Sequence, residues 1–250
     1  MSLWGYNSTG SWTMVGTFAA AVLIAFLLWV ILRKKDIKYR TIPLMVITAI
    51  MLILEVVKQI ISIKAGYSWW MFPMHFCSLF LYIYPLAVFA KGKIKDFGLT
   101  MAFVCSLLMF VFFYINPIDI IGLSPEHVFS DFYSFHTFIY HHLVVLFLFA
   151  SLLLNVYNIN RRSFIHVLIG FTIYGVVAVS LAHALGVNFC NLLTSNISFM
   201  ESLRQSVGQV LYTIIMWLIA ISCSFAICGA YLGIKRLIYH IKTQKLSKNQ

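Results

Sequence analysis

With 250 residues, 62% hydrophobic and 10% charged, and a mean hydropathy of +0.92, the chain lacks the charged surface that a water-soluble domain of its size requires. Its net charge of +11 comes from short basic clusters between apolar runs, the pattern of cytoplasmic loops facing anionic headgroups and not of a nucleic-acid surface. Of five cysteines, Cys105, Cys223 and Cys228 lie inside apolar runs, so no disulfide framework is implied.

A bilayer core of about 30 Å takes about 20 helical residues. The chain divides into runs of that size near 12–32, 41–63, 68–90, 97–116, 132–156, 164–186 and 204–232. The expected fold class is all-α: one integral membrane domain over residues 1–250, a polytopic bundle of seven transmembrane helices. Residues 1–11 carry no positive charge and the run from Trp12 is long enough to span, so the start reads as a first span and not as a signal peptide.

In the second run Glu55, Lys58, Gln59 and Ser62 fall at i, i+3, i+4 and i+7 and share one face. An interhelical ion pair and the wall of a pocket are both consistent with that stripe. The third run contains FPMHFCSLFLYIYP, with Pro73 in its first turns. His75 and Cys77 stand two residues apart, roughly 200° around a regular helix, so one or the other faces a common site. His75 would share its face with Ser78 and Tyr82. The fourth run ends at Tyr114 and Asn116. The fifth opens DFYSFHTFIYHHLVV: Ser134, Thr137 and His141 share a face, and His142 lies beside Phe138 and Phe135. The sixth ends at His183, followed by Asn188, Cys190 and Asn191. The seventh opens on Gln205, Gly208, Gln209 and Tyr212, a repeat of the stripe in the second.

Basic residues fill alternate connections: Arg33, Lys34, Lys35, Lys38 and Arg40; Lys91, Lys93 and Lys95; Arg161 and Arg162; then a tail with Lys235, Arg236, Lys242, Lys245 and Lys248. The positive-inside rule places the N-terminus outside and the C-terminus in the cytoplasm, for a multi-pass protein of the cell membrane. Glu55, His75, Cys77, His136, His141, His142, His183, Gln205 and Gln209 then all map to the outer half, and the inner halves are nearly pure Leu, Ile, Val and Phe. Ionisable groups inside spans are functional candidates by default. Their one-sided distribution argues for an outward-facing intramembrane pocket and against a pore lined throughout. The triplets NST at Asn7 and NIS at Asn196 lie on outer segments and have the form of glycosylation acceptors.

The pattern resembles the YwaF-like integral membrane family of bacteria. The residues that carry the likeness are Glu55, the P-x-H-x-C segment of Pro73, His75 and Cys77, the HHLVV opening in the fifth span, and Asn188–Phe189 within GVNFCNLL. The family is grouped with eukaryotic acyltransferases related to transmembrane protein 164. The resemblance implies acyl transfer into phospholipids with a cysteine nucleophile. The family cysteine corresponds to Cys77 or, on a shifted alignment, to the position of Met74; its histidine corresponds to His141 or His142.

Three chemistries fit these residues. In acyl transfer Cys77 is the nucleophile, His141 or His142 the base, and Asn188, Gln205 or Gln209 the oxyanion donor, with His75 a further catalytic candidate. Glu55, Gln59, His136 and His183 would line the substrate pocket. No cofactor is required for that reaction. In the alternative, a metal-dependent membrane lipid hydrolase, zinc would draw on the histidines and Glu55, although no HExxH or HxxxH spacing is present. A non-enzymatic ligand-binding or transport component is the third class; the last span has no lysine between Arg204 and Lys235 to carry retinal. The partners expected are membrane lipids, with anionic headgroups at the cytoplasmic loops and no nucleic acid. Oligomeric state, substrate and acyl donor are not encoded in any motif.

Overall fold

The computed structural model describes residues 3–121, 125–195 and 197–247, leaving aside the side chains of Asp119, Glu126, Lys242, Lys245, Leu246 and Ser247. Asn196 and Lys248, named above, lie outside the described residues. In chain order the helices are α1 (Ser8–Leu32), α2 (Ile37–Lys64), α3 (Phe80–Val88), α4 (Gly92–Ile115), α5 (Pro117–Ile121), α6 (Phe132–Leu153), α7 (Arg162–Leu185), α8 (Ser198–Val207) and α9 (Gln209–Ser247). No strand occurs among the described residues. Among the described residues, six helices, α1, α2, α4, α6, α7 and α9, are long and apolar enough to cross a membrane. Large apolar side chains such as Leu23, Leu27, Ile31, Ile173 and Val176 stay exposed along α1 and α7, which is the surface a multi-pass protein gives to lipid.

The third run departs from the continuous helix expected over 68–90. Proline lacks an N–H and disfavours helical geometry in the residue before it. Phe72, just before Pro73, is accordingly extended at φ −61, ψ 132, and His75 is extended at φ −68, ψ 158. The chain makes a 3-10 turn at Trp69–Met71, runs irregularly to His75, and makes a second 3-10 turn at Phe76–Leu79 that feeds α3. Tyr82 donates to the Pro73 carbonyl at 3.0 Å and pins the irregular stretch against its own helix. His75 therefore shares no helical face with Ser78 and Tyr82, and the angular argument that set it against Cys77 does not apply.

The seventh run is also broken. Gly208, at φ +80 and ψ 164, separates α8 from α9; an L side chain rarely adopts that conformation. Gln205 thus ends up on α8, whereas Gln209 and Tyr212 begin α9, and the expected four-residue stripe is split between two helices.

Local chemistry sets the ends of the histidine-bearing helix. Asp131 caps α6, accepting from the Ser134 N–H at 3.0 Å and from the Ser134 hydroxyl. At the other end Asn155 takes φ +52, the Val156 N–H returns to the Ser151 carbonyl at 3.0 Å and the Asn155 N–H to Leu152 at 3.1 Å, a Schellman closure. Arg40 donates to the Leu154 carbonyl at 2.8 Å and satisfies a further carbonyl there.

The described residues form two compact units, one ending at Tyr157 and the other beginning at Asn158. In the first, α6 is packed by α1, α2 and α4, and α3 lies between α2 and α4. A Cβ on Gly98 would lie 2.5 Å from the Ala87 nitrogen, so only glycine lets α4 approach α3 this closely. Tyr84 of α3 stacks on Phe147 of α6 at 3.7 Å and 10°, with its hydroxyl 2.7 Å from Ser106 Oγ. A second aromatic group, Phe18, Phe110, Tyr114 and Phe149, ties α1 to α4 and α6. In the second unit α7 packs on α9, with Phe164 edge-on to Phe225 at 5.1 Å.

Candidate functional site

The polar stripe of α2 faces α6. Glu55 is 7% exposed and sits at the centre of a network. Its Oε1 is 2.8 Å from Lys58 Nζ and accepts from Gln59 Nε2 at 2.7 Å. Its Oε2 is 3.3 Å from His136 Nε2, an ion-pair distance without the alignment of a hydrogen bond. Gln59 Nε2 also donates to the Met71 carbonyl at 2.8 Å and so anchors the irregular stretch to α2. Ser62 Oγ lies 3.2 Å from the Tyr133 hydroxyl, a second polar link between α2 and α6. Charge burial of this kind is tolerated because the carboxylate and ammonium neutralise one another and share hydrogen bonds.

On α6 three histidines and a tyrosine are buried together. His136 stacks on Tyr140, one turn on, at 5.3 Å and 23°. His141 Nδ1 lies 2.6 Å from the Thr137 carbonyl and His142 Nδ1 lies 2.8 Å from the Phe138 carbonyl. A carbonyl only accepts, so each Nδ1 carries the proton and each neutral ring presents an Nε2 lone pair. Both Nε2 atoms are buried with no hydrogen-bond partner among the described residues. Phe113 of α4 contacts both rings, at 5.4 Å and 5.0 Å. Two basic nitrogens are thus fixed in tautomer and buried away from water.

Cys77 stands in the first turn of the helical segment Phe76–Val88. The charges of Lys58 and Glu55 reach the Cys77 thiol, and Cys77 in turn acts on Tyr140. His75 packs on Trp70 at 4.4 Å and its Nε2 donates to the Trp70 carbonyl at 3.3 Å, with Lys58 also in electrostatic reach. Cys77 is thus within electrostatic reach of Lys58, Glu55 and Tyr140, and His75 packs on the neighbouring tryptophan.

The remaining sequence candidates belong to the second unit. His183 is exposed in the last turn of α7. Asn188 is engaged by its own loop: Oδ1 accepts from the Leu193 and Thr194 N–H groups at 2.9 Å and 3.2 Å, and Nδ2 donates to the Thr194 carbonyl at 2.9 Å. Gln205 donates to Glu201 at 3.0 Å, and Gln209 donates to the Leu192 carbonyl. Glu201 accepts from Arg204 Nε at 2.9 Å and from the Ser195 N–H at 2.9 Å. The hydrogen bonds from Arg204 first, then from Ser195 and Gln205, hold its carboxyl at about 2. The Tyr174 hydroxyl is 2.9 Å from Cys190 Sγ, and Cys190 and Asn191 take φ +54 and +57 in the turn after α7. These side chains brace a connection; their amide donors are already paired.

Tyr140, Tyr133 and Tyr84 were not among the candidates that the sequence pattern marked, unlike Tyr82, Tyr114 and Tyr212. The signal for Tyr140 was its i+4 relation to His136. Among the described residues, no group of three or more His, Cys, Asp or Glu side chains is placed to hold a metal ion.

The chain belongs to the TMEM164 family, whose pattern it matches over residues 5–234, nearly its whole length. No curated protein and no solved structure matches it.

Proposed function

We propose that this multi-pass membrane protein is a lipid acyltransferase or transacylase in which Cys77 is the nucleophile and the His141–His142 pair supplies the base. The observation that carries the reading is the pair of buried Nε2 lone pairs, each fixed by an Nδ1 hydrogen bond to a backbone carbonyl, in the same unit as a cysteine at a helix N-terminus. Buried polar groups without partners are destabilising, and their retention points to a partner met during function.

In the first half-reaction one of the two Nε2 lone pairs accepts the Cys77 thiol proton, and sulfur attacks the carbonyl carbon of an acyl ester. The tetrahedral intermediate collapses by breaking the ester C–O bond, and the leaving lysolipid alkoxide takes the proton from the histidine. In the second half-reaction an acceptor lipid hydroxyl gives its proton to the same base and attacks the thioester; the thiolate leaves and recovers the proton. Membrane lipids are the substrates, and neither metal nor organic cofactor enters either step. Glu55, Lys58, Gln59 and His136 form the polar wall against which a headgroup lies, and apolar helix surface holds the chains. His75 and Trp70 shape the entrance.

In this reading the chain crosses the cell membrane seven times, with the N-terminus outside and the C-terminus in the cytoplasm. The stretch 69–88 makes the third crossing in broken form. Support comes from the alternation of the Lys and Arg clusters and from the rule that non-helical backbone at membrane depth is tolerated only inside protein or beside a cavity. The basic loops lie against anionic headgroups.

The test is lipidomics of cells expressing Cys77→Ala, His141→Gln and His142→Gln at wild-type levels. Loss of the acyl-chain shift in Cys77→Ala and in at least one histidine variant supports the reading. An unchanged acyl distribution in all three disproves it.

A further inference from the structure

We propose that the Tyr140 hydroxyl is the oxyanion donor of this site: it hydrogen-bonds the carbonyl oxygen of the acyl group while Cys77 Sγ is bonded to the carbonyl carbon. The inference rests on the acyl-transfer reading and names a catalytic group within it.

Acyl transfer requires a donor aimed where negative charge develops. The amides that the sequence offers for the task are occupied. Asn188 and Gln209 donate to carbonyls of their own connection, Gln205 donates to Glu201, and Gln59 Nε2 bridges Glu55 and the Met71 carbonyl. Tyr140 differs. It is 3% exposed, and its hydroxyl is buried with no partner among the described residues. A buried phenol ordinarily finds a partner. The neighbouring side chains do not supply one: His136 meets the ring by stacking and Tyr84 directs its hydroxyl to Ser106.

The register of the segments places this hydroxyl on the Cys77 side. Tyr84 of α3 stacks on Phe147 of α6. Cys77 precedes Tyr84 by the same seven residues that separate Tyr140 from Phe147, and Cys77 and Tyr140 interact electrostatically. The one stacking contact and the one electrostatic interaction share the same sequence offset and run in the same sense along both segments, as two segments in parallel with Tyr140 on the Cys77 side require. Seven residues are about two turns of α6, which returns Tyr140 to the face that carries Phe147.

The chemistry balances without a further reactant. As the S–C bond forms, the carbonyl π pair moves onto oxygen, and the Tyr140 O–H hydrogen-bonds that oxygen without giving up its proton. Collapse restores the C=O bond, breaks the ester C–O bond, and the departing alkoxide is protonated by His141, which received the thiol proton; His142, two residues from Tyr140 and roughly 200° around α6, faces Phe138 and Phe113 instead.

The experiment uses the full-length protein reconstituted in vesicles of total polar lipid extract with a deuterated lysophospholipid as acceptor, and compares Tyr140→Phe and Cys77→Ala with wild type. Three readouts are taken: acyl transfer to the deuterated lipid, the rate of Cys77 alkylation by iodoacetamide followed on its peptide by mass spectrometry, and the thermal unfolding midpoint. Alkylation displaces iodide and forms no oxyanion, so it isolates thiol reactivity from oxyanion stabilisation. The expected result is that Tyr140→Phe lowers transfer by about 100- to 1,000-fold, leaves Cys77 alkylation unchanged, and holds or raises the unfolding midpoint, because an unpartnered buried hydroxyl has been removed. Transfer within about threefold of wild type in Tyr140→Phe, with none in Cys77→Ala, overturns the role of Tyr140 while leaving the nucleophile in place. A loss of transfer accompanied by a lowered midpoint or altered alkylation also overturns it and makes Tyr140 a structural residue. Retained transfer in Cys77→Ala refutes the acyl-cysteine reading and the inference with it.

Discussion

Truncating Glu55 separates a structural ion pair from a surface one. Its carboxylate meets Lys58 Nζ at 2.8 Å and Gln59 Nε2 at 2.7 Å, and lies 3.3 Å from His136; the Lys58 and Glu55 side chains are only 13% and 9% exposed. Exposed pairs are worth about 0–1 kcal/mol. Removing one partner of a buried pair costs about 3–5 kcal/mol, because the survivor remains charged and out of water. Glu55→Ala leaves the Lys58 ammonium in that position, whereas Gln59 keeps the Met71 carbonyl as an acceptor. For a chain of 250 residues, each kcal/mol moves the midpoint by about 2–4 °C, so the expected fall is about 6–20 °C. The double variant Glu55→Gln/Lys58→Met replaces both charges with side chains of similar volume and should return to within about 1 kcal/mol of wild type. Tryptophan fluorescence during thermal unfolding in lipid nanodiscs, at one scan rate for all variants, gives the comparison. A Glu55→Ala midpoint within about 2 °C of wild type, or a double variant as unstable as the single, would refute the buried-pair account.

Two further outcomes follow from local geometry. Gly98→Ala would place a methyl group 2.5 Å from the Ala87 nitrogen and 2.6 Å from the Leu86 carbonyl carbon, both backbone atoms that have nowhere to retreat. It should cost at least about 1–3 kcal/mol, read as a lowered midpoint in the same assay; a neutral result would show that α3 and α4 are not in contact at this point. Glu201 predicts an acid-sensitive connection between α7 and α9. Its carboxyl is held from an ordinary 4.5 down to about 2 by hydrogen bonds from Arg204, Ser195 and Gln205. A depressed carboxylate contributes stability that is fully present above its unfolded value and is lost as pH falls toward its folded value. Hydrogen exchange of the Ser195 amide, which bonds to Glu201, should accelerate relative to the intrinsic rate between about pH 4.5 and about pH 2. Glu201→Gln should remove that dependence, and an equally steep profile in the variant would rule the group out.

Composition and hydropathy sufficed for the all-helical, multi-pass class, because apolar length is a one-dimensional property of the chain. The i, i+3, i+4, i+7 stripe of α2 was equally legible, since a helix fixes which residues share a face, and Glu55, Lys58 and Gln59 do form one network. What the sequence concealed was where helices stop. Pro73 signalled a perturbation, but hydropathy does not distinguish a continuous span from a 3-10 turn feeding the nine residues of α3. Gly208 gave an even weaker signal, because glycine is common where membrane helices pack closely. The donors of Asn188, Gln205 and Gln209 were assigned as free for chemistry; only the folded connection reveals that backbone carbonyls and Glu201 already occupy them.

The break before α3 also changes the chemical meaning of Cys77. In a continuous helix the Cys77 N–H would be hydrogen-bonded to a preceding carbonyl, and the thiol would gain nothing from the helix dipole. With His75 extended and the helical segment beginning at Phe76, Cys77 occupies the first turn, where N–H groups lack intrahelical partners. The same break frees the Met71 carbonyl to accept from Gln59, which fixes the irregular stretch to the helix that carries Glu55. The proline that interrupts the span thus sets Cys77 in the first turn of the segment Phe76–Val88; if the proposed acyl transfer holds, restoring a regular helix there should lower transfer with Cys77 itself unchanged.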